Sequence, residues 1–390
     1  MFSRRTAWPL TPNRLHRLAE ARREREGWCD LTVSNPTVCG FDYPAELLAV
    51  LADAQSLRYE PQPLGLEGAR TAVVDYYRER GLGMAVGRVA LTASTSEAYS
   101  HLFRLLCNAG ESVLMPTPSY PLFEMLAGVQ DVRLCPVPMQ YADGWHLDVD
   151  ALAAVGGDAR ALLLVHPNNP AGNYVKPGEW QAVQALAAAR GWAVVVDEVF
   201  YDYAVAPAQA VALDFSACPA LTFLLNGCSK LAVLPQMKLA WMTAFGPEAQ
   251  VREAWARLEV LLDLYLSVST PVQHAASALL GARARLQQQV RARLRRNLDT
   301  LDAALVACPA LERLRVEGGW SVVLRLPRLH SDAEWAELLV ERAGVLAHPG
   351  HFYGLGLEAC LALSLLLPEA RFATGIERLL AAVAAEIGKV

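Results

Sequence analysis

From about residue 46 to residue 280 the chain alternates short apolar runs with longer stretches in which apolar side chains recur every three or four positions. The runs that read as strands are Val89–Leu91, Ser112–Met115, Val132–Cys135, Ala161–Val165, Trp192–Val196, Leu221–Leu225 and Leu239–Ala244. Several are apolar at successive positions, as in Leu162-Leu163-Leu164-Val165 and Ala193-Val194-Val195-Val196. A strand with one wet face alternates, whereas a strand covered by helices on both faces has no polar side to show. The pattern therefore predicts an α/β fold whose large domain, residues 46–280, carries a mostly parallel seven-stranded sheet covered by helices.

Outside that stretch the pattern changes. Thr11-Pro12 predicts the start of a helix over 13–26, with a capping hydroxyl and a proline at the first helical position. Leu286, Val290, Leu294, Leu298 and Leu301 place one apolar stripe on a long helix over 273–307, its many arginines forming a solvated face. The C-terminal segment predicts a strand over Trp320–Leu326, a helix over Ala333–Arg342, a strand over Leu361–Leu367 and a terminal helix from Glu369. This mixture predicts a smaller α+β domain made of residues 1–45 and 281–390.

Composition narrows the class of function. With 53% hydrophobic and 19% charged residues, the 390-residue chain has material for a large core. A net charge of −5 argues against a phosphate backbone as partner, so no nucleic acid is expected. The N-terminus has no apolar signal segment and no run is long enough for a membrane span, which predicts no membrane association and a cytoplasmic protein. Eight cysteines without Cys-x-x-Cys spacing read as core residues of a reducing compartment, with no metal site. Of 35 basic residues only Lys176, Lys230, Lys238 and Lys389 are lysines.

Ligands of open α/β sheets sit beyond the carboxyl ends of the strands, and the polar residues gather there. The first strand is followed by Ser94, Thr95 and Ser96, hydroxyls at a helix start that offer donors to an anion. The second leads to Tyr120 in a proline-rich turn, the fourth to Asn169 in Asn-Asn-Pro-Ala-Gly, and the fifth to Asp197-Glu198. The sixth ends at Ser229-Lys230, and Lys238 opens the seventh. An anion cradle, a stacking ring, an amide, a carboxylate and a lysine that burial makes nucleophilic are what pyridoxal 5'-phosphate requires.

These residues resemble the fold-type I, class I/II aminotransferases over nearly the whole chain, from Leu31-Thr-Val-Ser-Asn-Pro36 to the terminal helix. Ser229-Lys230 with Leu234-Pro-Gln-Met-Lys238 is similar to the family's Ser-Lys-x-x-x-Leu-Pro-Gly-x-Arg segment. The resemblance implies that Lys230 is the Schiff-base lysine and that Lys238 stands in for a phosphate-binding arginine. Asn169 corresponds to the asparagine on the ring hydroxyl, Asp197 to the aspartate on the ring nitrogen, and Tyr120 to the stacking aromatic. Ser94, Thr95, Ser96 and Ser229 fall on the phosphate-binding segments. Tyr59, ahead of Gly65 and Arg70, resembles a tyrosine that reaches the partner's phosphate, which implies a homodimer with shared sites.

Departures from the family pattern bear on mechanism. Lys238 replaces arginine's planar fork with a point charge. Phe200 stands where a tyrosine usually donates to the ring oxygen; adjacent Tyr201 is expected to face away, as neighbouring strand residues do. Gly227 takes the place of a phosphate-binding serine or threonine, and Ala362 that of the arginine that clamps the substrate carboxylate. The expected function is amino transfer from an amino acid or amine to a keto acid, with Asn35, Val38 and Phe41 near an apolar-leaning substrate pocket. A lyase, decarboxylase or racemase on the same fold is the alternative that Ala362 and Phe200 leave open, and a non-enzymatic sensor is a third.

Overall fold

The computed structural model describes residues 1–266 and 268–389. Its large sheet holds β1 (Val89–Thr92), β2 (Ser112–Thr117), β3 (Arg133–Pro138), β4 (Ala159–Val165), β5 (Ala193–Asp197), β6 (Thr222–Gly227) and β7 (Ala240–Phe245). Every strand read from the sequence is present. Their spatial order is β1-β7-β6-β5-β4-β2-β3. All neighbours run parallel except β7, which is antiparallel to both β1 and β6. Because β7 alone is reversed, its first residues lie at the same end of the sheet as the last residues of the other strands. That geometry brings Lys238 to the strand exits where the other polar groups gather.

The apolar runs divide by parity, as the pleat requires. Ala161, Leu163, Val195, Phe223, Leu225 and Met242 enter one buried cluster, with Leu258 of the covering helix. Leu162, Leu164, Val194, Val196, Leu224 and Trp241 enter a second on the opposite face. Each Val, Leu, Phe or Met among them contributes about 1.5–3 kcal/mol when fully withdrawn from water.

A second, antiparallel sheet is formed by β8 (Glu312–Arg313), β9 (Ser321–Arg325), β10 (His348–Pro349) and β11 (Cys360–Ser364), in the order β8-β9-β11-β10. The terminal helix runs over Glu369–Ile387. Three helical expectations need correcting. The first helix is Arg14–Arg23, capped by Asn13, whose Oδ1 accepts from the His16 N–H at 2.8 Å; Thr11-Pro12 lies before it. The long helix is two, Thr270–Gly281 and Arg283–Val306, parted where Arg283 Nη1 donates to the Leu280 carbonyl at 2.8 Å. The helix expected over Ala333–Arg342 covers Asp332–Leu338 and widens over Leu339–Ala343.

The apolar stripe holds: Leu286, Val290, Leu294, Leu298 and Leu301 are all buried. Two of its arginines, Arg283 and Arg293, are drawn in from the solvated face. Arg283 pairs with Glu79, Arg291 donates to the Asp202 carbonyl at 3.0 Å, and Arg293 donates to the Cys39 and Leu366 carbonyls. Arg283 and Arg293 are part-buried by these contacts, while Arg285, Arg291, Arg295 and Arg296 stay exposed, so most of the expected solvated face is present.

Candidate active site

One cavity of about 330 Å³ opens at the carboxyl ends of the strands. It brings together Lys230, Asp197, Asn169 and Tyr120, and with them Ser94, Thr95, Ser96, Ser229 and Lys238. Each arrives by a local reason. Asp197 is the last residue of the all-buried β5, and Gly227 ends β6 just before the short helical turn Cys228–Leu231 that carries Ser229 and Lys230. Thr95 and Ser96 form the first turn of the helix Thr95–Leu106, capped by Ser94 Oγ accepting from the Glu97 N–H at 3.1 Å. The helix's free N–H groups and dipole favour an anion there.

Asp197 is buried, with Oδ1 accepting from the Val199 N–H at 3.0 Å and Oδ2 from the Tyr99 hydroxyl at 3.1 Å. Burial pushes its carboxyl up to about 6, against the lowering effect of those two donors. Burial also lowers Lys230, with the Asp197 carboxylate opposing. Among the described residues the Lys230 ammonium makes no hydrogen bond or ion pair within the chain. It lies 5.5 Å from the centroid of the Trp320 ring, which is wedged edge-on against Phe200 and Tyr203. Tyr203 Oη donates to the Lys230 carbonyl at 2.6 Å and so fixes the lysine's backbone. Ser321 Oγ donates to Asn169 Oδ1 at 3.3 Å, tying the second sheet to the cavity.

The departures acquire physical reasons. A Cβ on Gly227 would sit 2.7 Å from the Ala240 Cβ and 3.1 Å from the Leu239 carbonyl, so this close strand pairing leaves no room for serine or threonine. Lys238 is exposed, and its backbone takes the left-handed conformation at φ 53°, following the turn Pro235–Met237. Phe200 lines the cavity and Tyr201 does not. The reason differs from the expected strand alternation: β5 has already ended, and Tyr201 stacks beneath the Arg80 guanidinium at 3.6 Å. Ala362 is buried on β11 between Val323 and His348, outside the cavity lining.

Three residues read as substrate-site residues lie outside this cavity. Asn35 Oδ1 accepts from the Thr37 N–H at 3.1 Å and from its hydroxyl at 2.8 Å, capping a short turn. Val38 is exposed, and Phe41 packs in the core under the Arg293 guanidinium at 5.2 Å. Ser34 is the residue of that stretch that lines the cavity. Tyr59 is 68% exposed and outside this chain's own cavity. Sequence reasoning missed Tyr99, Trp320 and Ser321. Tyr99 carried a signal, since it follows Thr95 by four positions on one helix face.

A lysine and a buried carboxylate share one cavity with a hydroxyl-bearing helix start, at the strand exits of a mostly parallel sheet. The sequence pattern of the family described as aminotransferase class I and II matches residues 36–379, and the chain belongs to that family. It is 30% identical over 270 residues to the glutamate-pyruvate aminotransferase AlaA of Haemophilus influenzae, covering 67% of this chain and 66% of that protein. The match thus spans about two thirds of that relative's length. The arginine–pyruvate transaminase AruH of Pseudomonas aeruginosa is 27% identical over 361 residues, covering 90% of this chain and 89% of AruH. The alanine aminotransferase of Pyrococcus furiosus has the same fold, with a TM-score of 0.85 at 20% identity over 99% of this chain and 100% of that one. These relatives are all named for amino-group transfer, which does not favour the lyase, decarboxylase or racemase alternative. No helix among the described residues is long and apolar enough to cross a membrane.

Proposed function

We propose that the chain is a pyridoxal 5'-phosphate-dependent aminotransferase that moves an amino group from an amino acid to a keto acid at Lys230. The observation that carries this reading is the sharing of one cavity by the Lys230 amine and the buried Asp197 carboxylate. The residues present fit the cofactor. Asp197 is a buried acceptor suited to a protonated ring nitrogen, Asn169 to the ring hydroxyl, and Tyr120 to the ring face. Lys238 and the hydroxyls of Ser94, Thr95, Ser96 and Ser229 suit the phosphate. When bound, the cofactor supplies an electron sink for the pair released at the substrate α-carbon.

The chain's own groups do the rest. Burial lowers the Lys230 amine and so favours its neutral form, whose Nζ carries the free electron pair that serves as nucleophile and then as proton carrier. Trp320 and Phe200 keep water from its flank. Phe200 offers no hydrogen bond, which leaves Asn169 as the donor to the ring oxygen on that side. No arginine lines the cavity among the described residues, and this supports neutral donors over aspartate and glutamate.

In this reading residues 46–280 are the cofactor domain and 1–45 with 281–390 the smaller one. A homodimer is supported by exposed Leu57, Tyr59, Val260, Leu264 and Leu266, with Tyr59 serving the partner's site. Eight free cysteines, five of them buried, support a cytoplasmic location. The test is a donor panel on the cofactor-loaded protein without acceptor. Neutral amino acids are expected to bleach the visible absorbance and a keto acid to restore it. No response to any donor overturns the reading, and faster bleaching by glutamate or aspartate overturns the donor preference.

A further inference from the structure

Tyr99 is a fully buried tyrosine whose hydroxyl has one polar partner among the described residues, the Asp197 carboxylate at 3.1 Å. Its ring is locked edge-on against Phe123, with centroids 4.8 Å apart at 80°, and leans on Phe103 at 6.1 Å. The hydroxyl therefore has a fixed position. Burial raises the Tyr99 hydroxyl well above its ordinary value, with the Asp197 charge adding to the rise, so the group remains a proton donor throughout the working range. Asp197 is an acceptor on both oxygens, from Val199 N–H on Oδ1 and Tyr99 on Oδ2. A carboxylate held at both oxygens is restrained from rotating, and the lone-pair sites that Val199 and Tyr99 leave unused are fixed in direction for a cofactor ring nitrogen.

The same helix that carries Tyr99 begins with the cavity hydroxyls. Thr95 and Tyr99 stand one turn apart on one face of Thr95–Leu106, about 6 Å along the axis. One rigid element thus sets the distance between the hydroxyl cradle and the carboxylate.

We infer that Tyr99 is a positioning residue for Asp197, holding its carboxylate charged and aimed at the ring nitrogen of the cofactor while the helix start holds the cofactor's other end. This rests on the proposed cofactor reading. Tyr99 touches Asp197 and acts through it.

The test compares apoprotein affinities, followed by tryptophan fluorescence, for pyridoxal 5'-phosphate and for its deaza analogue with carbon in place of the ring nitrogen. Tyr99→Phe, which keeps the ring, is expected to weaken the natural cofactor about tenfold, the scale of one hydrogen bond to a charged acceptor, and to leave the analogue within about twofold. In an Asp197→Asn background the same substitution is expected to change neither affinity. Equal weakening of both ligands, or of either in the Asp197→Asn background, assigns Tyr99 a merely structural role and overturns the inference. So does an unchanged affinity for the natural cofactor. If wild-type protein binds neither ligand, the cofactor reading itself fails and the inference falls with it, an outcome distinct from the others.

Discussion

Arg80 meets Glu198 through both terminal guanidinium nitrogens, Nη1 and Nη2, at 2.7 and 3.2 Å, and Glu198 is fully buried in the position directly after Asp197. The pair fixes the backbone that presents Asp197 to the cavity. Arg80 also stacks on Tyr201 and donates to Tyr76 Oη at 3.0 Å, which in turn donates to Asp202 Oδ2 at 2.9 Å. Sequence-adjacent carboxylates thus have opposite tasks, one neutralised in the fold and the other left facing the cavity.

Removing the cation strands the charge. Arg80→Met is expected to destabilise the protein by about 3–5 kcal/mol, the usual cost of leaving one member of a buried pair alone. Urea unfolding of the apoprotein measures it, and a loss below about 1 kcal/mol contradicts the account. The double variant Arg80→Met with Glu198→Gln is expected to recover part of that loss, because no charge is left unpaired.

Gly227 and Ala240 are packed too closely to admit a side chain. Gly227→Ser is expected to lower stability by about 1–3 kcal/mol through overpacking, without tightening cofactor binding despite the added hydroxyl. Thermal melting and a cofactor titration check both halves. A serine variant that is as stable as wild type and binds the cofactor more tightly contradicts the crowding.

The raised Asp197 carboxyl gives a pH dependence with a definite sign. Burial raises it to about 6; the Val199 N–H, Tyr99 hydroxyl and Lys230 charge lower it, and Glu198 raises it. An acid with a raised value holds its proton more tightly folded than unfolded. Its contribution therefore stabilises the apoprotein as the pH falls from about 6 toward the ordinary 3.8. Cofactor affinity runs the other way, since the carboxylate that receives the ring nitrogen is lost below about pH 6. Titrations at several pH values are expected to show affinity falling through that window in wild type and flat in Asp197→Asn. A flat wild-type profile contradicts the assignment.

The sheet was legible because its strands are buried on both faces, so Leu162–Val165 and Val194–Val196 announce themselves without any partner information. Lys230, Asp197 and Asn169 were legible for a related reason: each terminates such a strand or follows it within a short turn. What stayed hidden depends on tertiary contact. Nothing in the order of residues says that Asn35 spends its side chain on a local turn, or that Phe41 lies beneath Arg293 instead of facing the cavity. Trp320 reaches Lys230 from the second sheet across some ninety positions of chain, and only the packing of the two sheets brings them together. Helix ends were misplaced where the capping group competed with a neighbour, as Asn13 did with Thr11.

Amino transfer at this site turns on one atom, the Lys230 Nζ. The direct measurement is to load the protein with pyridoxal 5'-phosphate, reduce it with borohydride, digest it and locate the cofactor by mass spectrometry. The account predicts the label on the peptide containing Cys228-Ser229-Lys230 and none on that peptide in Lys230→Ala, with visible absorbance lost in the same variant. Label on Lys238 or Lys176 instead, or undiminished absorbance in Lys230→Ala, contradicts it.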